Sequence, residues 1–262
     1  MATRDFSKPL NLTMSSESLL KEPLDSQDPD AFHQRTSFAG NLSDVQDYLV
    51  FFISGNPGLL SFYRPFLMKL TNLLEAKRAP TARFHVHGHS FKGFELSPNA
   101  AHLQQPSSLY EQIDYQEKLL MQFVKENEAR IKQPLKVILV GHSVGSYILL
   151  ELIQRHLLAV QKYRVDFDLI GGILLFPTIA DIAQSPLGRI ARLILPLPGL
   201  DRMIGAFAHL LSYMLPSNTL TSLIGFVTGF PDYAVASTES LLRSRTGVRQ
   251  AMYVTKIGNT LL

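Results

Sequence analysis

The stretch from Lys136 to Leu152 constrains the fold more than any other part of this chain. Val137-Ile-Leu-Val140 is apolar, Gly141-His-Ser-Val-Gly145 interrupts it, and Ser146-Tyr-Ile-Leu-Leu-Glu-Leu152 resumes it. The first run reads as a buried strand and the last as a helix, so a serine between two glycines falls on the turn that joins them. Small residues on both sides let the backbone turn sharply there. The hydroxyl of Ser143 then stands exposed while neighbouring amides face a bound carbonyl oxygen, which is the geometry of a nucleophile elbow. The alternative is a glycine-rich turn at an ordinary strand end. If the elbow is real, the remainder of the chain must supply oxyanion donors and a proton relay.

The same alternation extends in both directions. Asp47-Tyr-Leu-Val-Phe-Phe-Ile53 is a second buried strand, ended by the tight loop Ser54-Gly-Asn-Pro-Gly58. Residues 61–77 carry Phe62, Phe66, Leu70, Leu73 and Leu74 at helical spacing, and Arg83-Phe-His-Val-His87 gives a short strand. A helix is expected over 112–131, strands over 135–140 and 168–176, and a helix over 144–160. Repeated strand-helix units predict an α/β fold with a mostly parallel sheet covered by helices on both faces. From 187 to 230 the pattern changes. That segment is apolar nearly throughout, is broken by Pro196, Pro198 and Pro216, and has only Arg189, Arg192, Asp201 and Arg202 as charged residues. Short helices between prolines are expected, and their surplus of Leu, Ile, Phe and Met suits either a cap or lipid-facing surface over 187–231 or a set of buried core helices. A last helix is expected over 237–255.

With 262 residues and 46% hydrophobic content, a single α/β domain over 31–262 is expected, after a polar, flexible tail over 1–30. The tail lacks the apolar core of a secretory signal. A net charge of +3 from scattered basic residues argues against nucleic acid as a partner. The absence of cysteine excludes a disulfide framework, a thiol nucleophile and cysteine-bound zinc, and it fits a cytosol-facing location. No run of 18 or more purely apolar residues occurs, which argues against a conventional membrane-spanning helix and leaves monotopic attachment open.

Acyl transfer needs donors for the oxyanion, and the loop 54–58 after a strong strand is well placed to supply one. The backbone amides of Asn56 and Val144 are the expected pair, with Gly55 and Gly58 allowing close approach to a ligand. The alternative is a turn that needs Gly and Pro only for its shape. His142 adjoins Ser143 but faces another side of the turn, so it is not the expected general base. His85-Val-His87-Gly-His89 has the alternation of a metal face on a strand. No Asp, Glu or Cys in that run completes a ligand set, so satisfied histidines at a strand end are expected, with no metal and no cofactor.

Taken together, Phe52-Ile-Ser-Gly-Asn-Pro-Gly58 with Phe62-Tyr63, Gly88-His89, Gly141-His-Ser-Val-Gly-Ser-Tyr147 and Leu174-Leu-Phe-Pro-Thr-Ile179 followed by Ser185-Pro186 resemble the lipid droplet-associated hydrolases. These are a branch of the α/β-hydrolase fold often classed with serine lipases, and the resemblance covers roughly residues 48–255. It implies an ester or lipid hydrolase with Ser143 as nucleophile, acting on a lipid or ester substrate at the lipid droplet or endoplasmic reticulum surface, on its cytosolic face. In this family the acid and the histidine follow the serine on loops after later strands, and this chain reaches Leu262 before such strands. The expectation is therefore a hydrolase domain lacking its last strands, as in a shortened form of a longer chain. Asp181 as orienting acid and His209 as base are the substitutes at hand. The other expectation is a lipid-droplet-binding protein of impaired or no activity, since the triad Asp and His are not evident.

Overall fold

The structure, a computed structural model, describes residues 28–37, 45–96, 105–128, 134–160, 167–178, 197, 199–244 and 246–261. Its centre is β2 (Gln46–Ile53), whose last five residues are all buried, as an apolar run enclosed on both faces must be. Around it stand β1 (Ala31–Arg35), β3 (Ala82–His89), β4 (Leu135–His142) and β5 (Phe167–Leu175), in the order β1-β3-β2-β4-β5. The pairs β2–β3, β2–β4 and β4–β5 are parallel, and β1 runs antiparallel to β3. Strand β1 was not predicted. Its sequence, AFHQR, buries only Phe32, too short a pattern to read as a strand. Just before it, Asp30 is buried and its carboxylate accepts the Leu96 amide at 2.8 and 2.9 Å, which pins the start of the strand. The predicted tail otherwise lies outside the described residues.

The helices between strands cover both faces. Helix α1 (Arg64–Lys77) starts with Pro at its first turn and follows a tight 3-10 turn at Leu60–Tyr63. It packs Leu67 with Leu60, Val50, Phe52, Val86 and Val140 on one face of the sheet. Helices α2 (Leu109–Glu128) and α3 (Val144–Val160) close the other face, where Ile113, Phe123, Ile148, Leu149 and Leu152 meet Leu49, Phe51 and Ile53. The connection leaving β2 thus goes to one face and the one leaving β4 to the other. In an open α/β sheet this divergence of neighbouring strands leaves a crevice beyond their carboxyl ends. Both the 54–58 loop and Ser143 sit there.

Strand β5 forms the edge of the sheet and leaves Ile170, Ile173 and Leu174 exposed. Among the described residues no strand follows it. The chain continues as α4 (Leu200–Met214), α5 (Ser217–Thr228), α6 (Asp232–Arg243) and α7 (Gly247–Leu261). Pro216 and Pro231 stand at the N-caps of α5 and α6, so the prolines punctuate this segment as expected. Residues 187–196 lie outside the described residues. The single helix expected over 237–255 is two helices. Ser244 is extended, and its hydroxyl accepts the Gly247 amide at 3.0 Å, ending α6 and capping α7. A side chain on Gly247 would also meet Leu241 at 2.8 Å. Among the described residues no helix is long and apolar enough to cross a membrane.

The histidine face of β3 is packed, not open. His85 Nε2 lies 2.8 Å from Asp47 Oδ1, Arg83 grips the same carboxylate with Nε and Nη2, and His89 Nδ1 bonds Ser90 O at 2.9 Å. Burial opposes ionisation of Asp47, but the hydrogen bonds of His85 and Arg83 outweigh it and hold the carboxyl below its usual range. Among the described residues no three ligating side chains are arranged to hold a metal. His87 is half-buried beside Phe51 and Phe123, and desolvation, aided by the charges of His33 and His89, pushes it down to about 3. A folded value below the unfolded 6.5 means that the unfolded chain binds the proton more readily between those limits. Stability is therefore full above the ordinary histidine value and is lost as pH falls toward 3. At pH 5 the loss is about 2 kcal/mol. Urea midpoints at pH 7 and pH 5 check this, and His87→Phe should flatten the difference.

Candidate functional site

Ser143 occupies the turn between β4 and α3 with φ 53°, a left-handed backbone that a non-glycine residue adopts only under local constraint. Two glycines provide the room. A Cβ on Gly141 would lie 2.5 Å from the Gly145 carbonyl oxygen, and one on Gly145 would lie 2.3 Å from Ser54 O and 2.4 Å from Ile53 O. The turn therefore closes only because neither residue has a side chain. Ser146 Oγ donates to Gly141 O at 2.9 Å, tying the first turn of α3 to the strand end.

The end of β5 completes the brace. The Ser143 amide donates to Leu175 O at 3.0 Å, and the Thr178 amide donates to Ser143 O at 3.2 Å. The Ser143 hydroxyl lies 3.0 Å from Thr178 Oγ1, so among the described residues its partner is a threonine. Thr178 had no assigned role in the sequence beyond its place in the Phe-Pro-Thr run. The signal was only that a polar residue follows an apolar strand at the carboxyl edge.

The loop expected to supply the oxyanion amide abuts the elbow. Ile53 of β2 pairs with Gly141 of β4, so the residues that follow each enter the same crevice. A Cβ on Gly55 would lie 3.1 Å from the Ser143 Cβ and 2.7 Å from His142 Nδ1. Val144 opens α3, so its amide has no carbonyl four residues earlier within the helix. The side chain of Asn56 faces away from chemistry: its Nδ2 donates to Ala251 O at 2.9 Å and to Thr255 Oγ1 at 2.8 Å on α7. Its Oδ1 is buried without a partner, and of its donors the backbone amide is the one left for a ligand.

His142 is half-buried and engaged elsewhere. The Gly55 amide donates to Tyr63 Oη at 3.1 Å, and Tyr63 Oη lies 3.0 Å from His142 Nδ1. Tyr63 Oη thus links the Gly55 amide to the His142 ring. Burial lowers His142 below the usual histidine value, so the ring is neutral at pH 7. Burial also raises the Tyr63 phenol, against the opposing bond from Gly55. The 54–58 loop and the Ser143 turn are thereby joined through one hydroxyl.

Of the substitutes for a proton relay, Asp181 lies outside the described residues. His209 lies on α4 and lines a cleft with Arg202 and Arg249, where its Nδ1 is buried without a hydrogen-bond partner. The structure brings Ser143 against Gly55 of the 54–58 loop. It does not pair His209 with the Ser143 hydroxyl.

With elbow, loop and crevice in place, residues 46–257 match the family model described as lipid-droplet associated hydrolase. The chain belongs to this family. Relatives named lipid droplet-associated hydrolase include that of Mus musculus, 31% identical over 169 residues, covering 58% of this chain and 45% of the relative. That of Homo sapiens is 32% identical over 155 residues, covering 55% and 41%. The match thus spans less than half the length of these two relatives. Among solved structures, a soluble variant of monoglyceride lipase from Saccharomyces cerevisiae, in complex with a substrate analog, is similar at 18% identity and TM-score 0.40, covering 63% of this chain and 48% of that one.

Proposed function

We propose that this protein is a serine ester hydrolase of lipids, working at the surface of lipid droplets or the cytosolic face of the endoplasmic reticulum. The observation that carries the reading is the left-handed Ser143 at a glycine-flanked strand-helix turn, pressed against the 54–58 loop. In the reaction, Ser143 Oγ attacks the acyl carbonyl carbon and its proton passes to a base, a histidine by the logic of the fold. The amides of Asn56 and Val144 hold the oxyanion. Collapse expels the alcohol, which takes the proton, and water then releases the acyl group from Ser143.

The helices after β5 supply the surface. Helix α4 exposes Met203, Phe207, Leu210 and Met214, and α5 exposes Leu223, Phe226, Val227 and Phe230 close behind. Spacings of three and four residues make each set a stripe along its helix. Exposed stripes of this kind, over 203–230, suit insertion among lipid tails as a cap or anchor. Phe207→Glu with Phe226→Glu should lower flotation with phospholipid-coated triglyceride droplets at least tenfold, since each phenylalanine carries about 2 kcal/mol of transfer free energy. Unchanged flotation would remove this part of the reading.

A second reading, a droplet-binding protein with an idle elbow, is favoured by one observation. Among the described residues the Ser143 hydroxyl is bonded to Thr178, not to a histidine. Hydrolysis of a medium-chain glycerol ester separates the two. The hydrolase reading expects activity that falls about a thousandfold or more in Ser143→Ala; the idle elbow expects none in either protein, with flotation retained.

A further inference from the structure

We infer that Tyr63 is a positioning residue of the hydrolytic site, whose hydroxyl holds the 54–58 loop against the Ser143 turn so that the Asn56 amide is set for the oxyanion. The role rests on the hydrolase reading above and adds a residue to it. The loop is anchored along its length. At its end the Gly58 carbonyl accepts the Phe91 amide at 2.7 Å, and just beyond it the Leu60 amide donates to Ser90 Oγ at 3.0 Å. At Asn56 the side chain reaches α7, through Ala251 O and Thr255 Oγ1. At Gly55 the amide donates to Tyr63 Oη at 3.1 Å. The Asn56 amide belongs to the peptide between these last two anchors, and among the described residues it meets no acceptor.

Of the anchors, the tyrosine is the one that also reaches the turn. A Cβ on Gly55 would lie 3.1 Å from both Ser143 Cβ and Tyr63 Oη, so hydroxyl and nucleophile flank the same glycine. The second contact of Oη is His142 Nδ1 at 3.0 Å, on the residue just before Ser143. The ring itself is placed by other contacts. It packs on Phe52 and His142, with centroids 4.9 and 5.5 Å apart, and it ends the 3-10 turn anchored by the fully buried Leu60. Deleting the oxygen therefore keeps the aromatic packing and removes the link between loop and turn. Donors lower a barrier when they are already fixed where charge develops, and a loop released at Gly55 loses that preorganisation. Because the oxyanion exists only once Ser143 has attacked, the loss falls on the transition state and not on binding of the neutral ester.

Tyr63→Phe in the whole chain tests this, with p-nitrophenyl butyrate as a soluble ester. Its kcat should fall about thirtyfold while KM stays within about twofold, and phosphonylation of Ser143 by an alkyl fluorophosphonate should slow by a similar factor. Thr71→Val is the matched control, since it deletes a buried hydroxyl, bonded to Leu67 O at 2.9 Å, about two turns further along α1. It should leave kcat within about twofold. Deuterium uptake by the peptide carrying 54–58 should rise in Tyr63→Phe and not in Thr71→Val. A merely structural tyrosine would give kcat losses that follow the urea midpoints in both variants. That result, or unchanged kcat or unchanged uptake in Tyr63→Phe, overturns the role while hydrolysis by the parent still supports the hydrolase reading. A folded parent that neither hydrolyses the ester nor reacts with the fluorophosphonate overturns both.

Discussion

Gly145→Ala is expected to destabilise the protein by about 3 kcal/mol or more. At most helical positions the same change is favourable, because alanine has the higher helix propensity and a stiffer unfolded chain. Here the new methyl would sit 2.3 Å from Ser54 O and 2.4 Å from Ile53 O, both backbone atoms of the strand end and loop beside the elbow. Backbone cannot swing aside as a flexible side chain can. Relief requires α3 to draw away from β2, which separates Val144 from the loop that faces it. Gly225→Ala in α5 is the matched control, since its methyl would make ordinary contact with Val235 at 3.7 Å and should be neutral or stabilising by up to about 1 kcal/mol. Chemical denaturation of the two variants gives the comparison, and similar midpoints would mean that the elbow is not closed as described.

The second large effect is expected at Asp47. Its carboxylate, almost wholly buried, binds Arg83 through two hydrogen bonds and His85 through a third. Asp47→Ala removes the partner of a guanidinium that is 10% exposed and of an imidazole that is 3% exposed. Leaving a buried cation unpaired costs about 3–5 kcal/mol, whereas exchanging both charges for apolar groups costs far less. Asp47→Ala with Arg83→Met should therefore recover much of the loss of the single variant. Equal midpoints for the single and double variants would show that the pair is solvated and carries little.

How much of this was legible in the sequence depended on burial. Strands β2 and β4 were readable because Val50, Phe51, Phe52 and Ile53, and Val137, Leu139 and Val140, are enclosed and must be apolar; β5 was readable from its apolar run although most of that run is exposed. Strand β1 was not, since an edge strand that buries one phenylalanine leaves almost no pattern. The break between α6 and α7 turns on the hydroxyl of Ser244, a cap whose effect shows only when the chain has to change direction. At the site, the strand-turn-helix context of Ser143 was local and so could be read. Its contact with Thr178, 35 residues away, and the span from Asn56 to Thr255, 199 residues away, depend on the whole sheet being folded. The asparagine drew attention as a source of an oxyanion amide, while its side chain turns out to hold the last helix. The role of His142 is of the same kind, fixed by a tyrosine 79 residues earlier in the chain.

Covalent labelling of the folded protein by an alkyl fluorophosphonate, followed by mass spectrometry of the peptides, tests the nucleophile most directly. The account predicts that the phosphonyl group is found on Ser143 and that Ser143→Ala, folded to the same extent, takes up none. A folded protein whose Ser143 stays unmodified while a control serine hydrolase in the same tube is labelled would contradict it.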